Sequence, residues 1–222
     1  MTSNIVIAPS ILAADYADLT GELARLDDEA EWLHVDLMDG HFVPNLTIGP
    51  PVVASLRKHT DLVLDCHLMV TDPGMWLEPL AKAGADVCSV HVELGDPKGL
   101  LARIRELGMK PGLVIDGPTP FDTVVPYLDG DLELLLVMTI KAGFGGQAFQ
   151  PEQLVKVERA AAIKRDRGLS FHIEVDGGIK TDSAGPAARA GADVLVSGTG
   201  IFHAEDPAAA AAAIRKAAST LP

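Results

Sequence analysis

Short runs of β-branched and aliphatic residues alternate along this chain with longer stretches whose apolar positions recur every three or four residues, and the alternation repeats eight times. The short runs predict strands at 4–9, 32–38, 62–68, 86–92, 111–115, 132–139, 171–176 and 193–197. Helical spacing predicts helices over about 15–28, 50–58, 73–83, 97–108, 120–127, 151–167, 181–190 and 206–219. Asp72-Pro73 and Asp206-Pro207 read as an N-cap followed by proline at the first helical position. Gly84, Gly108 and Gly191 stand where a helix is expected to end. Eight βα units in 222 residues predict an α/β fold, a single (β/α)8 TIM barrel spanning 1–222 as one domain.

An internal echo fits this count. Ala81-Lys82-Ala83-Gly84-Ala85-Asp86-Val87 returns as Ala188-Arg189-Ala190-Gly191-Ala192-Asp193-Val194, about half the chain later. It reads either as a half-barrel repeat or as a helix-to-strand turn common to α/β proteins.

Composition narrows the partners. Hydrophobic residues make up 48% and aromatics 5%, with 21 glycines, which fits a core of Ala, Val, Leu and Ile. The net charge of -13, without a basic run, argues against nucleic acid or an anionic membrane, both of which need clustered Lys and Arg. With no long apolar stretch and no secretory leader pattern, the expectation is a soluble, cytoplasmic protein whose cysteines, Cys66 and Cys88, stay reduced and buried.

The chemistry concentrates at strand ends. His34-Val35-Asp36, Asp65-Cys66-His67 and Glu174-Val175-Asp176-Gly177 each close an apolar run. Side chains alternate across a strand, so His34 and Asp36 share the barrel interior, while Cys66 faces away from it, opposite to His67. Asp36, His67 and Asp176 fall at the C-terminal ends of strands 2, 3 and 7, where barrel enzymes place their chemistry. Two imidazoles and two carboxylates converging there form a divalent-metal site with built-in acid and base groups. His41, His59, His172 and His203 read as structural or solvent-facing, and His91, at the end of strand 4, stays open between a structural and a site role.

Three glycine-rich loops follow strands 6, 7 and 8: Gly143-Phe144-Gly145-Gly146-Gln147, Gly177-Gly178 and Ser197-Gly198-Thr199-Gly200. Glycine lets backbone N–H groups turn inward as an anion cradle, and such loops hold phosphate in this fold. Fixed dipoles there would receive a sugar phosphate that the net charge otherwise repels. Lys141 reads as a point charge for the loop or as an exposed lysine. Met38, Met69 and Met138 read either as core filling or as a polarizable wall of the barrel mouth.

These residues resemble the ribulose-phosphate 3-epimerase family over nearly the whole chain. The resemblance runs through Ala8-Pro9-Ser10-Ile11-Leu12-Ala13-Ala14-Asp15, His34 to Asn45, Asp65-Cys66-His67-Leu68-Met69-Val70, Val137-Met138-Thr139, the Gly143 loop, Glu174 to Ile179 and Gly200-Ile201-Phe202. It implies a (β/α)8 barrel interconverting D-ribulose 5-phosphate and D-xylulose 5-phosphate in the pentose phosphate pathway. It also implies one divalent metal per subunit held by His34, Asp36, His67 and Asp176, with Ser10 and the three methionines near the substrate, and a homo-oligomer. Zn(II), Fe(II), Co(II) and Mn(II) all suit that ligand set. Where the family carries Asn-Pro or a similar pair before the glycine loop, this chain has Lys141-Ala142, which removes a φ restraint and predicts a looser entry.

Epimerising a carbon beside a ketone removes its proton on one face and returns one on the other, a task for two carboxylates. Asp36 and Asp176 are assigned as alternating base and acid. The expected substrate ligands are Ser10, His67, Met38, Met69, Met138, Gly143, Gly145, Gly146, Gly177, Gly178, Ser197, Gly198 and Thr199. The rival readings are an epimerase for a ketohexose phosphate such as allulose 6-phosphate and a non-catalytic sugar-phosphate binding barrel. A decarboxylase of the related phosphate-binding barrels needs an Asp-x-Lys-x-x-Asp array, and Asp96-Pro97-Lys98-Gly99-Leu100-Leu101 lacks its last acid.

Overall fold

Eight parallel strands close on themselves in a computed structural model that describes residues 5–220. They are β1 (Val6–Pro9), β2 (Trp32–Met38), β3 (Val63–Met69), β4 (Val87–His91), β5 (Lys110–Ile115), β6 (Leu134–Met138), β7 (His172–Asp176) and β8 (Val194–Ser197). Each pairs with its sequence neighbour from β2 through β8, and β8 pairs with β1. A parallel bridge between Ser10 and His34 joins β1 to β2 and completes the ring. The expected TIM barrel is therefore present. Residue 4 of the first predicted strand and the ends of the predicted 1–222 span lie outside the described residues.

The helical layer comprises α1 (Leu19–Ala24), α2 (Pro50–Leu56), α3 (Gly74–Ala83), α4 (Lys98–Glu106), α5 (Leu154–Arg167), α6 (Thr181–Ala190), α7 (Thr199–Phe202) and α8 (Pro207–Ser219). Two expectations need correction. The helix expected over 120–127 is a pair of 3₁₀ turns, Phe121–Thr123 and Val125–Tyr127, the second with Pro126, which has no N–H to donate, in its first turn. The helix expected over 15–28 shortens to α1, which starts where the Asp18 carboxylate accepts from Gly21 N at 3.0 Å. At 72–73 the helix begins one residue later than expected, with Pro73 itself in the cap position and no side-chain cap. Asp206 does cap α8, accepting from Ala209 N at 2.9 Å.

Alternation divides the strand residues between two environments. Outward residues such as Leu33, Val35, Leu64, Cys66, Leu68 and Val175 are sealed under the helices, and burying each aliphatic side chain contributes about 1.5–3 kcal/mol. Cys66 and Cys88 lie opposite one another in the β3–β4 register as free, buried thiols, and burial pushes both up in pKa. Inward residues form layers. Val6, Ala8, Trp32, Val87, Leu134, Val194 and Val196 fill the lower barrel, and Met38, Met69, Met138, Val114 and Leu136 cluster near the C-terminal mouth. The polar residues between these apolar layers are the ones the site uses.

Candidate active site

The Cα register sets Asp36 beside His67 and His34 beside Asp65 across β2 and β3, while β7 brings Glu174 and Asp176 to the same interior. One potential ligand atom from each of His34, Asp36, His67 and Asp176 lies within 4.8 Å of the other three. The four residues singled out by parity and strand end thus converge. His34, Asp36 and His67 are buried, and Asp176 is partly open to a cavity.

Hydrogen bonds fix these groups. Ser10 Oγ donates to Asp36 Oδ2 at 2.6 Å, and His67 Nδ1 lies 3.2 Å from Asp36 Oδ1. His34 Nδ1 lies 2.6 Å from Asp65 Oδ2 and 3.6 Å from Glu174 Oε1. Its other nitrogen, Nε2, faces Asp36 Oδ1 at 3.4 Å without a hydrogen-bond partner. A buried imidazole nitrogen aimed at two carboxylates and a second imidazole is what a divalent cation requires, so the residues fit one. Thr139 Oγ1 donates to the carbonyls of Asp176 and Gly177 at 3.0 and 2.7 Å, anchoring the end of β7.

The electrostatics separate the two acids. Burial alone would raise Asp36, but the His34 imidazole leads the contacts that outweigh it and hold the carboxyl far below the ordinary range. Asp176 is pushed up to about 7, by burial first and the Asp36 charge second. Burial would lower His34, yet Asp36 and Asp65 raise it well above the ordinary histidine range, so a cation entering the site competes with a proton. Below them Glu174 is raised by burial first and by Asp65 second.

Above this cluster opens a cavity of about 450 Å³. Ser10, Asp36, Asp176 and the three methionines line its floor. Gly143, Gly145, Gly146, Gly177, Gly178, Gly198 and Thr199 line its wall. The methionines therefore belong to the mouth while also packing in its apolar cluster. His34 and His67 lie beneath the lining, and Ser197 is set back from it, its hydroxyl donating to Ile179 O at 2.6 Å. At the loop entry Gln147 Nε2 donates to the carbonyls of Lys141 and Phe144 at 2.7 and 2.6 Å, and Asn45 Nδ2 donates to Gly143 O at 3.2 Å. These bonds restrain the segment that enters the glycine loop.

A profile of the Ribulose-phosphate 3 epimerase family matches residues 6–202. The chain belongs to the ribulose-phosphate 3-epimerase family. Among its relatives, a ribulose-phosphate 3-epimerase of Mycobacterium bovis is 50% identical over 221 residues, covering 98% of this chain and 94% of the relative. The cytoplasmic isoform from Oryza sativa is 47% identical over 215 residues, covering 95% of this chain and 92% of the relative. The fold extends further: 3-hexulose-6-phosphate synthase from Salmonella typhimurium superposes with a TM-score of 0.72 at 19% identity, covering 96% and 98% of the two chains. Membership of the ribulose-phosphate 3-epimerase family makes the protein an isomerase. Among the described residues no helix is long and apolar enough to cross a membrane.

Two polar residues of the cavity were not expected from sequence. Asn45 and His203 line the cavity, although His203 reads as structural or solvent-facing from sequence. His91, left open there, is buried against His67, with the two Nε2 atoms 2.9 Å apart. Its position on the parity of β4 was the available signal.

Proposed function

We propose that the enzyme inverts C3 of D-ribulose 5-phosphate to give D-xylulose 5-phosphate, a step of the pentose phosphate pathway, with Asp36 and Asp176 as the two proton-transfer groups. The observation that carries this reading is the convergence of two carboxyls from different strands on one cavity. Their environments differ, the imidazoles lowering Asp36 while burial raises Asp176, which suits one to begin as base and the other as acid. They come from β2 and β7, which are separated in the ring by β1 and β8, so they approach the cavity floor from different sides.

The phosphate is assigned to the wall formed by Gly145, Gly146, Gly177, Gly178, Gly198 and Thr199, whose backbone leaves room for an anion among N–H dipoles. Met38, Met69 and Met138 exclude water from the face of the planar ene-diolate, which strengthens nearby electrostatic interactions. Asp36 takes the C3 proton on one face while Asp176 delivers a proton to the other, and the roles exchange in the reverse direction. Ser10, by donating to Asp36 Oδ2, keeps that carboxylate aimed. His34, Asp36, His67 and Asp176 would hold one divalent ion, for which Zn(II), Fe(II), Co(II) and Mn(II) are all suited. When bound, such a cation supplies Lewis-acid stabilisation to charge developing on the sugar oxygens.

The test is solvent exchange at C3. Asp36→Asn and Asp176→Asn should each fold normally by circular dichroism and lower both turnover and deuterium incorporation by about 10²–10⁴-fold. Turnover within tenfold of wild type in either variant would remove that residue from the assignment. Equal or better turnover of a ketohexose phosphate would replace the pentose as substrate.

A further inference from the structure

We infer that His91 and Glu93 form a positioning relay that presents Nδ1 of His67, as a lone pair, to the metal site. The inference rests on the metal reading above. His67 Nε2 lies 2.9 Å from His91 Nε2, and the two ring planes differ by only 22°, the near-coplanar arrangement of an N–H···N hydrogen bond. On its other side His91 Nδ1 lies 2.9 Å from Glu93 Oε2. Phe42 covers the His91 ring at 4.7 Å between centroids, and His91 is buried.

The donor count leaves one arrangement. Glu93 is held low, at about 2, with burial outweighed first by His91, so its carboxylate only accepts and His91 Nδ1 carries the hydrogen. A ring that gives Nδ1 to a cation carries its hydrogen on Nε2 and needs an acceptor there, which His91 Nε2 supplies when its own hydrogen faces Glu93. His67 must then donate from Nε2, which leaves its Nδ1 free beside Asp36 Oδ1 at 3.2 Å. His34 reaches the same end in one step, through Asp65, whereas His67 needs two.

The far end of the relay is also built. Asp116 N donates to Glu93 Oε1 at 2.9 Å, and the buried Lys156 of α5 donates Nζ to the carbonyls of Asp116 and Gly117 at 2.8 and 2.7 Å. By holding those two carbonyls Lys156 fixes the Asp116–Gly117 backbone and with it the Asp116 N–H that donates to Glu93.

The experiment compares zinc affinity, by competition with a chromophoric chelator, for wild type, His34→Ala, His91→Leu, His91→Gln and Glu93→Gln, with folding checked by circular dichroism. His91→Leu leaves His67 without an acceptor and should weaken zinc binding about 10- to 100-fold. His91→Gln can accept from His67 and donate to Glu93, so it should bind close to wild type, and Glu93→Gln should fall between. Long-range ¹H–¹⁵N spectra of the zinc-loaded wild type should show His67 protonated at Nε2, a readout that needs no variant. Unchanged affinity in a folded His91→Leu protein, equal losses in the Leu and Gln variants, or His67 protonated at Nδ1 would each overturn the relay. Wild-type affinity in His34→Ala would instead overturn the metal reading on which the relay rests.

Discussion

One added methyl group should separate two glycines of the cavity wall. At Gly178, φ is +68° and a Cβ would stand 2.6 Å from Phe149 N and 2.8 Å from Phe149 Cα, both backbone atoms that cannot turn aside. At Gly146, φ is +77°, yet the nearest atom to a Cβ is Thr199 Cγ2 at 3.9 Å. Both alanine variants carry the left-handed penalty of about 1–2 kcal/mol, and only Gly178→Ala adds an overpacking cost of about 1–3 kcal/mol. In thermal unfolding each kcal/mol corresponds to about 2–4 °C for a chain of this size, so Gly178→Ala should melt several degrees below Gly146→Ala. Equal melting temperatures would show that the wall relaxes around Phe149. The same scale explains what sequence reveals of the site. Parity and strand end identified His34, Asp36, His67 and Asp176, because a strand's alternation is written locally. The partner of His91 was not legible, since an Nε2–Nε2 contact depends on the spacing between β3 and β4. Asn45 and His203 reach the cavity from loops whose return path no local pattern encodes.

Among the secondary-structure elements, the sequence echo marks one piece of construction used twice. Gly84 N and Ala85 N donate to Ala81 O and Leu80 O, and Gly191 N and Ala192 N donate to Ala188 O and Ala187 O, closing α3 and α6 in the same way. The aspartate that follows then accepts from the preceding strand: Asp86 Oδ2 from Leu64 N and Asp193 Oδ1 from Ile173 N, each at 2.8 Å. The repeat therefore records a helix-to-strand joint that stitches β4 to β3 and β8 to β7. Such joints, with proline and glycine marking the ends, made most of the barrel readable. The segment 120–127 was not, because its apolar spacing suits a helix while the chain there turns as two short 3₁₀ segments, the second with Pro126 in its first turn. At the second joint burial would raise Asp193, but His172 and Lys164, the latter at 2.9 Å, outweigh it and hold the carboxyl below its ordinary range. A lowered native pKa adds stability above the unfolded value of about 4, and that contribution is lost as pH falls through the native value. Asp193→Asn should cost about 1.5–3 kcal/mol at pH 7 by urea denaturation, with the gap to wild type closing as the pH is taken below about 4. A gap that stays constant with pH would assign the loss to packing and not to charge.

For the whole molecule, the interior polar layer is a liability that one ligand would relieve. The barrel encloses Asp36, Asp65, Glu174 and the partly open Asp176 around two imidazoles, and His34 Nε2, Asp65 Oδ1 and both Glu174 oxygens lack hydrogen-bond partners. Buried polar atoms without partners cost roughly 1–3 kcal/mol each, so the layer opposes the apolar layers above and below it. A cation held by His34, Asp36, His67 and Asp176 would tie β2, β3 and β7 together and neutralise part of that charge. Because those ligands come from distant parts of the chain, the unfolded state cannot assemble the site, and binding energy becomes folding energy. At metal concentrations 100 times the dissociation constant the gain is about 2.7 kcal/mol, or about 5–11 °C in melting temperature. Differential scanning calorimetry of chelator-treated protein titrated with Zn(II) or Mn(II) should show the midpoint climbing with the logarithm of metal concentration, and His34→Ala should abolish the climb. A midpoint indifferent to metal in the wild type would mean that the four side chains are held together by their own hydrogen bonds and that no cation contributes to the fold.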